Sequence, residues 1–342
     1  MANLHESHEN KDRKSLSKQE ILSGKLRNVE LFCEPTRPPS SWNEFIQNHP
    51  PFSIALDGYI NSKPIFDKNG NYLNLDHHAE VDRLATRATC GQTLMVVRQG
   101  LFDTFRDASG AKAKVWVNDC DQDVCLSWFL LKYGKFTETT KNPLLDRLVN
   151  ITDRMDTTSG MDPFLDEQAE KEMSWVYDPY RQFRLSGSLD QKDPVAYGKI
   201  IQKVEERIVE YLSGKGKLLS LDTRFNRIGG GEDWAMVEEI GAQARTGMLK
   251  DGIRAFVSVR PRSNDRWTYT LGRLSQFINF DIPKLIHVLN AIEGAQVDKW
   301  GGSGIIGGSP RVNGSKISPT DLIRIINEFQ MNQKIANFPK KN

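Results

Sequence analysis

The strongest constraint on this chain is a set of short apolar runs that each end on acidic or turn-forming residues and alternate with helical patterns. Phe52-Ser53-Ile54-Ala55-Leu56 ends at Asp57-Gly58, Asn71-Tyr72-Leu73-Asn74-Leu75 at Asp76, and Lys114-Val115-Trp116-Val117 at Asn118-Asp119. Runs this short and this apolar are the pattern of strands buried on both faces. Helical spacing follows at about Cys90–Phe105, Asp123–Tyr133 and Leu144–Met155, the last with Asn142 as N-cap and Pro143 at the first helical position. Strand and helix in alternation predict an α/β fold with a mostly parallel sheet.

A chain of 342 residues has material for about two such units. Residues 1–50 read as a polar tail and lead-in, and residues 51–185 as the first α/β domain. Asp193-Pro194 opens an amphipathic helix with Ile200, Ile201, Val204, Ile208, Val209 and Leu212 on one face and a stop at Gly214. That helix reads as a connector over 186–215, leaving 216–342 as a smaller α/β domain. Within it, the expected elements are a strand at Leu218–Leu221, a helix at about Glu232–Leu249 and strands at Ile253–Val259 and Trp267–Leu271. A helix at Pro283–Ile292 and a final helix capped by Ser318 complete it. Gly229-Gly230-Gly231 reads as a loop leading into a helix, and His287 as a helix surface residue.

Lys+Arg 46 against Asp+Glu 44 gives a formal charge of +2, which offers no bulk attraction to nucleic acid or to a membrane surface. The longest strongly apolar uncharged stretch, about Val124–Leu131, is far short of the ~20 residues of a spanning helix. Four cysteines without CxxC spacing fit neither a zinc site nor a disulfide framework, so a cytoplasmic location is expected. Cys120 and Cys125 read as core packing.

Acidic and imidazole groups concentrate where the predicted strands end. Asp57, Asp76-His77-His78 and Asp119-Cys120-Asp121-Gln122-Asp123 each follow a run, and Asp153 and Asp156 close a helix. The carboxyl ends of strands form the ligand crevice of open α/β sheets. Carboxylates converging there repel unless a cation joins them, and carboxylates with imidazole suit Mn²⁺, with Mg²⁺ as the other fit. Singly, each piece has a plainer meaning: an acidic run caps a helix, Asp57-Gly58 makes a turn, and adjacent histidines lie on a surface.

Asp76-His77-His78 after a strand is the signature of the DHH phosphoesterases, and the chain resembles that superfamily over roughly residues 50–315. Asp57 resembles the metal-bridging aspartate, Asp119, Asp121 and Asp123 the DxDxD motif, and Asp153-Arg154-Met155-Asp156-Thr157 the fourth motif, with Asp156 the preferred ligand. The DxDxD run here follows the Asp-His-His triplet instead of preceding it, a permuted order. Gly301-Gly302-Ser303-Gly304-Ile305-Ile306-Gly307-Gly308 and Arg311 resemble the glycine-rich substrate loop of the associated domain, without its usual histidine.

The resemblance implies two Mn²⁺ ions held by Asp57, His77, Asp119, Asp121, Asp123 and Asp156, with Asp76 and His78 supporting them. It implies hydrolysis of phosphodiester or phosphoanhydride bonds by an activated water. Substrate phosphates would be held by Gly301, Gly302, Ser303, Gly304, Gly307, Gly308 and Arg311. Short nucleotide substrates, oligonucleotides or cyclic dinucleotides, are the expected partners, and oligomeric state stays open. Arg260, Arg262 and Arg266 beside Trp267 suit phosphate and base contacts, or are solvated loop charges. The competing expectation is a silent nucleotide-binding regulator or assembly subunit on the same scaffold.

Overall fold

The chain's architecture was taken from a computed structural model, which describes residues 16–83, 85–163, 166–294 and 296–337. It is a mixed α/β protein with two sheets, and contacts divide it into two units. The first contains residues up to 154 and 165–220; the second contains 155–164 and 221–342.

The first unit is built on strands β1 (Asn28–Cys33), β2 (Ser53–Leu56), β3 (Ile65–Asp67), β4 (Tyr72–Leu75), β5 (Arg106–Asp107) and β6 (Gly110–Val117). Their order is β1-β6-β2-β4-β3, with β5 paired to β6. Pairs β1/β6, β6/β2 and β2/β4 are parallel, and the two outer additions, β3 and β5, are antiparallel. Ile54 is level with both Leu73 and Val115. β2 therefore runs between β4 and β6 in one direction, and the carboxyl ends of all three lie side by side.

β2 is buried along its whole length, as its uniform apolar run predicts. Ala55 packs on one face with Phe45, Tyr59, Ile60 and Tyr72. Period-two alternation turns Ile54 and Leu56 to the other face, and both are fully buried. Phe45 comes from helix Trp42–Asn48, which Ser41 and Glu44 open with a capping box.

Two parts of the first unit depart from expectation. The stretch read as a polar tail contains helix Lys18–Ser23 and β1. β1 has a single buried residue, Val29, so it carries no apolar run to announce it. The helix expected as a connector, Pro194–Glu210, packs within the first unit. Its Glu205 carboxylate accepts from Trp128 Nε1 (3.1 Å), Lys132 Nζ (2.7 Å) and Tyr133 Oη (2.9 Å). Glu205 is only 7% exposed, and stripping a partner from such a buried pair typically costs about 3–5 kcal/mol.

The second unit has β7 (Phe225–Gly230), β8 (Ala235–Glu239), β9 (Ala255–Arg262), β10 (Arg266–Arg273), β11 (Gly301–Gly302) and β12 (Ile306–Gly308). They run in the order β11-β12-β10-β9-β8-β7, antiparallel except for β8/β9. Helices Ile282–Glu293 and Pro319–Asn337 cover one core, where Val257, Val259, Tyr269 and Leu271 meet Leu285, Leu289 and Leu322. The expected helix at Glu232–Leu249 is instead β8 followed by the short helix Ala244–Lys250. Gly229 and Gly230 lie in β7, not in a loop, and no strand forms at Leu218–Leu221. No helix among the described residues is long and apolar enough to cross a membrane.

Candidate metal centre

The β2-to-loop transition sets the first ligand. Leu56-Asp57-Gly58-Tyr59 is a tight turn closed by Tyr59 N–H on the Leu56 carbonyl (3.1 Å). Asp57 and Gly58 both take positive φ, 53° and 76°, the requirement of a type I′ turn. Asp is among the few residues that tolerate this region. The turn carries the Asp57 carboxylate over the end of the sheet, where it is 7% exposed.

Neighbouring strand ends supply the imidazoles. His77, fully buried after β4, puts Nε2 3.4 Å from Asp57 Oδ1 and 3.7 Å from Asp123 Oδ2. His78 crosses His77 edge-on at 4.4 Å between ring centroids. Its Nδ1 lies 2.9 Å from Asp76 Oδ1 and 3.5 Å from Asp57 Oδ1. Asp76 is fully buried and also accepts the Ala79 main-chain N–H at 3.0 Å. Burial by itself raises the Asp57 pKa. The imidazoles of His78 and His77 and the Thr89 hydroxyl outweigh it, holding the carboxyl well below the usual range.

Asp123 arrives from a helix. Gln122–Lys132 begins directly after β6, and its first turn buries Asp123 to 1% exposure. Asp123 accepts the main-chain N–H groups of Thr89 (2.7 Å) and Cys90 (2.6 Å), while Asp153 accepts that of Ala88 (2.6 Å). Helix Thr89–Arg98 has no side-chain cap of its own at Ala88, so these two remote carboxylates satisfy its first amides. Thr89 also donates its hydroxyl to Asp57 Oδ1 at 3.0 Å. One buried residue thus ties the β2 carboxylate to the helix carboxylate.

Among the described residues of the first unit, Asp57, His77 and His78 form a group of metal-capable donors whose donor atoms lie within 4.8 Å of one another, with Asp123 Oδ2 3.7 Å from His77 Nε2. Asp156 comes from the last turn of helix Pro143–Thr157. Oxygen and imidazole donors at this spacing fit Mn²⁺ or Mg²⁺, whose ligands lie about 2.1 Å from the ion. Of the Asp153 and Asp156 pair, Asp153 holds the end of helix Thr89–Arg98, and Asp156 lies in the stretch that contacts assign to the second unit.

Asp119 and Asp121 stand outside this group. Asp121 is the N-cap of Gln122–Lys132, accepting Val124 N–H at 3.0 Å, and Asp119 accepts Cys120 N–H at 2.7 Å. The plainer reading of an acidic run describes Asp121. Cys120 and Cys125 are buried free thiols, with Cys125 Sγ 3.3 Å from the Cys120 carbonyl. Thr89, Asn118 and Tyr59 were invisible from the sequence, because their roles depend on partners 32 to 60 residues away or on a strand outside the predicted set.

The glycine-rich segment forms a hairpin of the second unit's sheet. Gly301 pairs with Gly308 and Gly302 with Gly307, and Ser303 N–H closes on the Ile306 carbonyl at 2.7 Å. Gly302 has a φ of 153°, and a Cβ there would collide with Gly307 Cα and the Ile306 carbonyl. Gly301 and Gly304 face open space, and Arg311 is exposed. Arg262 sits across from Arg266 on β9/β10, its guanidinium donating to the carbonyl of Val312 at 3.2 Å. His287 is exposed on its helix.

No model of a known protein family matches this chain, and no curated protein sequence matches it either.

Proposed function

We propose that this protein is a divalent-metal-dependent phosphoesterase of the DHH kind, acting on short nucleotide substrates with two Mn²⁺ ions. The observation that carries the reading is the convergence of donors within the first unit: His77 Nε2 lies 3.4 Å from Asp57 Oδ1 and 3.7 Å from Asp123 Oδ2, and His78 Nδ1 lies 3.5 Å from Asp57 Oδ1. A histidine nitrogen has one lone pair and would hold one ion, whereas the two oxygens of Asp57 would let that carboxylate join a second. The pair, when bound, would supply charge stabilisation and an activated water for displacement at phosphorus.

The protein's own groups have separable tasks. Asp76 Oδ1, 2.9 Å from His78 Nδ1, orients that imidazole beside Asp57. Thr89 holds Asp57 and Asp123 in register through its hydroxyl and its amide. The exposed Arg311 guanidinium and the open backbone at Gly301 and Gly304 are suited to substrate phosphates. Four free cysteines are in keeping with a reducing cytoplasm.

The test is hydrolysis of bis-p-nitrophenyl phosphate and a panel of short oligonucleotides and cyclic dinucleotides, with Mn²⁺, Mg²⁺ or EDTA. Asp57→Asn is the matched variant, since Asn accepts the same left-handed backbone. Mn²⁺-dependent release that vanishes in EDTA and in the variant is expected. Folded protein that binds Mn²⁺ and releases nothing across the panel would replace this reading with that of a nucleotide-binding regulator.

A further inference from the structure

We propose that Tyr59 is a positioning residue for Asp57, acting through a polar network that reaches out of the candidate centre to Glu34, Arg37 and His49. The proposal rests on the metal-centre reading and deepens it.

Asp57 occupies a backbone region that non-glycine residues adopt at a cost, of order 1–3 kcal/mol, and hold only where surrounding contacts over-determine it. Three contacts do so here. The Asp57 N–H continues the parallel ladder onto the Leu75 carbonyl at 3.0 Å, and Asn118 Nδ2 holds the Gly58 carbonyl at 2.9 Å. The third is Tyr59, which closes the turn with its own N–H and anchors its far end through its hydroxyl.

That hydroxyl donates to Glu34 Oε2 at 2.6 Å and accepts from Arg37 NH1 at 2.8 Å. Arg37 also donates to Glu34 at 3.0 Å. His49 Nδ1–H is committed to the Phe45 carbonyl at 2.9 Å, which leaves Nε2 to accept from Arg37 at 3.1 Å. The Tyr59 ring is 1% exposed, packed edge-on against Phe45 at 6.0 Å. Glu34 directly follows β1, whose end is paired to β6 by Glu34 N–H on the Val117 carbonyl at 2.8 Å. The network therefore references the Asp57 turn to a strand two places away in the sheet. None of its four side chains is among the donors Asp57, His77 and His78.

A buried hydroxyl holding a turn would ordinarily be a matter of stability alone. The positioning role predicts a loss in ion binding beyond that. Tyr59→Phe keeps the ring and removes the anchor, and outer partners of metal ligands typically set affinity by about 10–100-fold. Tyr197→Phe is the control: it also removes a hydroxyl from a buried ring in the same unit, one that donates to the Leu189 carbonyl at 2.9 Å, away from the turn.

Mn²⁺ affinity of the full chain is measured by calorimetry for wild type and both variants, with thermal unfolding in EDTA alongside. The expected result is at least about ten-fold weaker Mn²⁺ binding in Tyr59→Phe, wild-type binding in Tyr197→Phe, and a lowered melting temperature in both. Equal Mn²⁺ affinity in wild type and Tyr59→Phe would overturn the positioning role while leaving the metal centre standing. A wild-type protein that binds no Mn²⁺ would overturn the centre itself. If Tyr59→Phe does not fold, Glu34→Gln, which retains an acceptor oxygen for the Tyr59 hydroxyl, must bind Mn²⁺ more tightly than Glu34→Ala; equal affinities would overturn the proposal.

Discussion

Asp123 accepts the main-chain N–H of Thr89 at 2.7 Å, so the start of one helix is completed by the first turn of another, 34 residues along the chain. Its second oxygen takes the next amide, Cys90, at 2.6 Å. A carboxylate at a helix N-terminus is stabilised both by its hydrogen bonds and by the helix dipole. That stabilisation keeps an acidic group buried beside His77.

Asp123 and Asp121 should therefore behave oppositely despite their adjacency. Asp123→Asn places an amide group against two N–H donors and should lower stability by about 1–3 kcal/mol. Asp121→Asn exchanges one good N-cap for another and should be neutral. Urea unfolding in EDTA measures both without any contribution from ions. In Mn²⁺, Asp123→Asn should also lose binding, whereas Asp121→Asn should retain it.

Gly302 and Gly304 separate structural from substrate demands on the glycine-rich hairpin. Gly302→Ala forces a Cβ into the facing strand at an unfavourable φ, and a loss of roughly 1–3 kcal/mol is expected. Gly304→Ala meets open space and should change stability by no more than about 0.5 kcal/mol. Paired melting curves test this directly. If Gly304→Ala leaves the melt unchanged but weakens turnover, the hairpin tip contacts substrate.

The thiols carry a pH signature. Burial pushes Cys33 up to about 11, while an unfolded cysteine titrates near ~8.5. A folded pKa above the unfolded one means that the stabilisation is complete below pH ~8.5 and is lost as pH rises from there toward 11. Denaturant curves at pH 7, 9 and 10 should show wild type losing stability faster than Cys33→Ala on the alkaline side. Equal slopes would show that Cys33 is not held in its protonated form.

Legibility followed burial. β2, β4 and the end of β6 were readable because they are apolar on both faces, and helix Pro143–Thr157 because Asn142 caps it, accepting Leu145 N–H at 3.0 Å. β1 was not readable, since an outer strand with one buried residue needs no apolar run. β8 was absorbed into a helical pattern because Ala-Met-Val-Glu-Glu suits either period over five residues, and its pairing with β7 and β9 decided the matter.

The amino-acid order by itself determined the α/β class, the strand ends and the placing of Asp57, Asp76, His77 and His78 at the carboxyl edge of one sheet. Those follow from local hydrophobic period and from where polar residues interrupt it. Which carboxylates converge was decided only by tertiary structure. Within a single acidic run, Asp121 turns to its own helix and Asp123 to another helix and to His77. That division depends on how two helices pack, which involves contacts across tens of residues that no local pattern records.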